Sequence, residues 1–133
     1  DGEIKNCVFS NIVISESTNG IIFQNPKYYL PDGITIGPDI HDILFDNIII
    51  KCFRYPVWLF IEDGIKLKQL SDLTFSNIKI SYCGGPLLIQ GSKETSISDI
   101  RFTNVQINTG GEDAILCQRC RNIKFDNLDI VGV

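Results

Sequence analysis

The chain has 133 residues, enough for one domain, and 44% of them are hydrophobic, enough for a packed core. Its formal charge of −4 excludes a surface of clustered Lys and Arg facing nucleic acid or anionic lipid, and no apolar run approaches the roughly 20 residues of a membrane helix. The N-terminus shows no basic, apolar, then small-residue order of a signal peptide.

Taken from the N-terminus, five segments align without gaps: IKNCVFSNIVI from Ile4, IHDILFDNIII from Ile40, LSDLTFSNIKI from Leu70, ISDIRFTNVQI from Ile97 and CRNIKFDNLDI from Cys120. Each carries Phe, a variable residue, Asn, an aliphatic, a variable residue and Ile. The asparagines, Asn11, Asn47, Asn77, Asn104 and Asn127, lie 36, 30, 27 and 23 residues apart. A shared register without a fixed period marks a solenoid whose insertions lie on one face. Ten residues after each of the first four asparagines a second apolar strand begins, at Ile21, Val57, Leu87 and Ala114. The expected architecture is therefore all-β: a right-handed parallel β-helix of about five coils, each of three short strands, forming one domain over residues 1–133.

Each residue type has a physical reason. Side chains alternate across a strand, so Phe and the aliphatics two positions away point into the tube. Coils stacked at roughly 4.8 Å place each Phe over the next. Asparagine accepts the left-handed backbone of a bend, and stacked amides can hydrogen-bond from coil to coil. These asparagines are structural.

The five cysteines leave at least one without an intrachain partner. Cys7 shares a column with Ile43, Leu73, Ile100 and Ile123, and Cys120 replaces an aliphatic, so both read as small core residues. Cys52, Cys83 and Cys117 fall in or near turns. Cys117 and Cys120 form a lone C-x-x-C with no second pair to complete a zinc site, and no metal or cofactor is expected. His41, the only histidine, aligns with Lys5, Ser71, Ser98 and Arg121 and reads as a surface residue in an outward polar column. It has no Ser–His–Asp setting.

Chemistry is expected on the strands of constant spacing. If their first residues point inward, Ile22, Trp58, Leu88 and Ile115 form an outward row, followed by Gln24, Phe60, Gln90 and Cys117. So apolar a row suggests a cover: the segment Asn25–Asp39, a partner protein, or a sugar ring stacked on Trp58. Glu62 and Asp63 follow the second of these strands, and Glu112 and Asp113 precede the fourth. Glycoside hydrolysis needs two carboxyl groups across one bond. These pairs sit at opposite strand ends and two coils apart, which suits charged turn residues on a solvated rim. Trp58, Gln24, Gln90, Glu62 and Asp63 are the candidate substrate-binding residues.

The F-x-N-I-x-I coils, NGIIFQ from Asn19 and FRYPVWLFIEDG from Phe53 together resemble the pectin-lyase-like β-helix proteins, and most closely the later coils of the polygalacturonases, family 28 glycoside hydrolases. The resemblance implies an inverting O-glycosyl hydrolase acting on plant or bacterial polysaccharide and a secreted, periplasmic or cell-surface setting. The family's substrate-binding Arg and Lys fall on Ile22 and Gln24. Its catalytic aspartates and Gly-His-Gly would precede this chain; a second alignment puts Glu112 and Asp113 on its Asp-Asp coil, with no following His coil. The chain thus reads as the C-terminal portion of such a hydrolase, inactive alone. The alternatives are a non-catalytic glycan-binding or structural β-helix from a surface or phage-associated protein, and a solenoid whose apolar row is an oligomer interface. Neither end carries a capping segment, so flanking coils or partner chains are expected to cover the open edges.

Overall fold

The computed structural model describes residues 2–26 and 36–132, and it is built from strands. In chain order these are β1 (Glu3–Ser17), β2 (Ile21–Asn25), β3 (Ile36–Cys52), β4 (Val57–Ile61), β5 (Lys66–Cys83), β6 (Leu87–Gln90), β7 (Ile97–Thr109), β8 (Ile115–Gln118) and β9 (Cys120–Gly132). The odd-numbered strands form one parallel sheet in the order β1-β3-β5-β7-β9, and the even-numbered ones a second, β2-β4-β6-β8. The chain alternates between the sheets, one step along the axis per turn, as a right-handed parallel β-helix.

The expected first two strands of each coil are one continuous strand, folded twice. One fold lies at the repeated asparagines, Asn11, Asn47, Asn77, Asn104 and Asn127, where φ is 53–59°. The other lies five residues earlier, at Asn6, Asp42, Asp72, Asp99 and Asn122, with φ of 52–58°. Short polar side chains tolerate this left-handed backbone because they can bond locally, whereas a β-branched residue would clash. Two columns of such residues therefore crease the five-stranded sheet, dropping out of the ladder themselves without shifting its register.

Inside the creases the phenylalanines form the expected stack. Ring centroids from Phe9 to Phe45, Phe75, Phe102 and Phe125 are 5.2, 4.9, 4.9 and 4.9 Å apart, with planes within 13°. The spacing equals the inter-strand repeat, so backbone pairing and ring stacking reinforce each other. Phe23 on β2 meets Phe45 edge-on at 5.9 Å, tying the two sheets across the core.

On the outside, amides climb the axis as a ladder with one break. Asn47 donates to Asn11 (2.7 Å), Asn104 to Asn77 (3.2 Å) and Asn127 to Asn104 (2.6 Å). Asn77 instead donates to the carboxylate of Asp46 (2.9 Å), which also accepts from the Ser76 hydroxyl (2.7 Å). The Ser76 and Asn77 bonds hold the Asp46 carboxyl below its ordinary range. A charged acceptor makes the stronger bond, which explains the departure.

All five cysteines are free. Cys7 and Cys120 occupy the expected aliphatic columns, paired with Ile43 and Ile97. Cys52 and Cys83 close β3 and β5 and are fully buried. Burial, then the neighbouring Cys83, pushes the Cys52 thiol up to about 11. At neutral pH such a thiol carries on the order of a hundredfold less thiolate than an ordinary one. Iodoacetamide labelling read by mass spectrometry should therefore leave Cys52 unmodified in the folded protein and modify it in denaturant. Equal labelling in both conditions would contradict this burial.

His41 lies in register with Lys5, Ser71 and, through Ser71, Ser98 and Arg121. The column is less solvated than expected: Ser71 is buried and its hydroxyl donates to Gln69 at 2.6 Å.

Candidate functional site

The outer face of the β2-β4-β6-β8 sheet is a short platform. Alternation along β4 sends Val57, Leu59 and Ile61 into the core and leaves Trp58 and Phe60 outside, half-buried. Register then sets two outward rows: Ile22, Trp58, Leu88 and Leu116, and Gln24, Phe60, Gln90 and Gln118. The constant spacing of ten residues from each asparagine places Ile115 and Cys117 outward. The structure corrects both, because Leu87 pairs with Ile115, not with Ala114. The turn before β8, TGGEDA from Thr109, holds one residue more than its counterparts, and a one-residue slip reverses every side chain. Cys117 thus joins the inward column of Leu59 and Ile89.

Trp58 is the centre of an aromatic ridge. Tyr55 lies 5.1 Å from it on one side and Phe60 5.5 Å on the other, with ring planes tilted by 47° and 33°. The Arg54 guanidinium sits 5.0 Å over the Tyr55 ring. The indole N–H of Trp58 donates to the Gln90 side-chain oxygen at 3.4 Å, a long bond, and the side chain is half-buried. Gln24 is exposed one coil away. The row is not uniformly open: Leu88 is 7% exposed, against 38% for Ile22 and 41% for Leu116. Of the segment expected to cover it, residues 27–35 lie outside those described.

The carboxylates do not gather here. Asp63 accepts the backbone N–H of Lys93 (3.0 Å) and pairs with the Arg119 guanidinium (3.2 Å), so it links the turns of three successive coils. Glu62 is held by its backbone, its N–H donating to Asn25 and its carbonyl accepting from Ile65. Glu94 caps the same turn by accepting from Gly64 at 2.8 Å. Glu112 and Asp113 are exposed at the other end of the sheet, before β8. The structure therefore brings Trp58 and Gln90 together, with Gln24 beside them, and leaves the two acidic pairs apart. Tyr55 and Arg54 were not singled out from sequence: strand alternation would put a residue three before Trp58 on the opposite face, and it is the turn through Pro56, ahead of β4, that brings Tyr55 to Trp58.

A parallel solenoid with a creased core and a flat aromatic face defines a class of protein. Residues 1–132 match the family described as the right-handed β-helix region, and the chain belongs to that family. No curated protein and no solved structure matches it.

Proposed function

We propose that this chain is a carbohydrate-binding β-helix segment, and that a neutral sugar ring stacks on the ridge of Tyr55, Trp58 and Phe60. The observation that carries this reading is the indole of Trp58, flanked by two further rings and bordered by the amides of Gln24 and Gln90. Sugars present C–H faces that pack on aromatic rings and hydroxyls that bond to amides, and binding sites combine an apolar surface with a few placed polar groups. A polyuronate is less suited, since Gln24 and Gln90 bring no positive charge and Arg54 is turned over Tyr55. The resemblance to family 28 hydrolases extends the proposal to cleavage only with carboxylates supplied from outside this chain, because Glu62, Asp63, Glu112 and Asp113 do not face one another.

A second reading has its own support. Ile22 and Leu116 are open at the edges of the same row, which suits an interface with another protein surface. Trp58 separates the readings, and as the only tryptophan it is its own fluorescent reporter. Titration with a panel of neutral and acidic oligosaccharides should change its emission with a neutral ligand, and calorimetric titration of that ligand should show Trp58→Ala weakening the binding at least tenfold with an unchanged circular dichroism spectrum. No response across the panel, together with a concentration-dependent oligomer dispersed by Trp58→Ala, would replace the sugar with a protein partner.

A further inference from the structure

Away from the platform, at the start of the creased sheet, three metal-binding side chains from two coils converge. Glu3 on β1 pairs in register with Asp39 on β3, and His41 follows Asp39 by two residues, on the same face. One ligand atom of each lies within 4.8 Å of the other two. His41 Nε2 is 3.6 Å from Glu3 Oε2 and 3.8 Å from Asp39 Oδ1. These gaps are too wide for hydrogen bonds, and among the described residues the buried Asp39 Oδ1 atom has no hydrogen-bond partner. A buried carboxylate oxygen without a partner is costly, and it points to a missing ligand.

The other ring nitrogen is already committed. His41 Nδ1 lies 2.6 Å from Asp42 Oδ2, and Asp42 stands at the left-handed crease, which turns its carboxylate back along the chain. With Nδ1 committed to Asp42, Nε2 is the nitrogen that faces Glu3 and Asp39. A carboxylate orienting the distal nitrogen of a ligating histidine is the usual outer shell of a zinc site.

We propose that Glu3, Asp39 and His41 form a divalent-cation site that braces coil 1 to coil 2, with Zn2+ the ion this ligand set fits. Bonds of about 2.1 Å at a tetrahedral ion place ligand atoms about 3.4 Å apart, so the two gaps from His41 Nε2 need to close by only a few tenths of an ångström. Imidazole disfavours Ca2+ and Mg2+, which take oxygen donors, and three protein ligands are too few for Ca2+. The fourth position is left to water. Lys5, 3.2 Å from the other Glu3 oxygen, neutralises charge there without occupying the site. Bound metal would replace the proton on Nε2 and join residues 36 positions apart.

The test is calorimetric titration of Zn2+ into the metal-stripped chain carrying Cys117→Ser and Cys120→Ser, which removes the C-x-x-C as a competing site. One ion per chain should bind. His41→Gln and Asp39→Asn should each weaken it more than tenfold, and Asp42→Asn by about 10- to 100-fold through loss of orientation alone. Zn2+ should raise the melting midpoint of the parent and not of His41→Gln. In the same serine background, Co2+ should give ligand-field bands that His41→Gln abolishes. Absence of binding in the serine background, equal affinity in His41→Gln, or Co2+ bands unchanged in His41→Gln would each overturn the proposal.

Discussion

Phe75→Ala should destabilise the chain by about 3–5 kcal/mol, the cost of emptying a buried aromatic position. Phe75 is fully buried on the middle long strand and stacks on Phe45 and Phe102 at 4.9 Å on both sides. Removing it deletes the area term and two ring contacts together, and neighbours fixed by backbone pairing above and below cannot collapse into the gap. Phe9 offers the contrast: it is 44% exposed and stacks on one side only, so Phe9→Ala should cost clearly less. Urea denaturation followed by circular dichroism would measure both. Equal losses would show that the stack is not what holds the coils.

Gly91→Ala should destabilise by about 1–3 kcal/mol, in the range of overpacking in a close-packed site. Gly91 follows β6 and its N–H donates to Gln118 of the next coil. A methyl group there would meet the Arg119 carbonyl oxygen at 2.2 Å and that of Thr95 at 2.8 Å. Both oxygens are themselves acceptors, from Ile97 and Ser92, so neither can withdraw without loosening its own turn. Gly132→Ala is the control, because nothing lies within 4 Å of its methyl position. Should the two variants melt together, the turns between β6 and β8 would have to be far more yielding than this geometry implies.

Much of the fold was legible because each coil repeats the same physical demands. Phe and the aliphatics two positions away report the inward face, and Asn at fixed distance reports a bend. The second crease escaped notice because its column alternates between Asn and Asp, at Asn6, Asp42, Asp72, Asp99 and Asn122, and reads as a variable polar position. Its signal was the restriction to those two residue types, the pair that best tolerates the left-handed region. The β8 register was missed for a different reason. A turn can absorb one residue without altering the apolar pattern beside it, and Ala114 is apolar enough to imitate a strand start.

The platform was partly legible. Trp58 and Gln90 follow from alternation, whereas the tilt of Tyr55 onto Trp58 depends on the path of the chain through Pro56. The cation site was missed. His41 was compared with its own column, while its partners lie two residues earlier, in the column of Glu3 and Asp39. Register and a spacing of two put Glu3, Asp39 and His41 on one face, but the turn of Asp42 back onto His41 Nδ1 at its left-handed crease is not reported by linear spacing.

Each strand pairs only with the strands of adjacent coils in its sheet, so stability is carried by neighbouring interfaces. A chain so arranged behaves like a zipper with a costly first tooth. Joining two coils must close a loop of 23 to 36 residues before any core forms, and each later coil then docks on a finished template. The shortest of those loops joins β7 to β9 and the longest joins β1 to β3. Because closure entropy rises only slowly with length, that difference amounts to a few tenths of a kcal/mol. The choice of nucleus therefore falls to packing, and the doubly stacked Phe75 and Phe102 place it in the middle of the solenoid, with growth toward both edges.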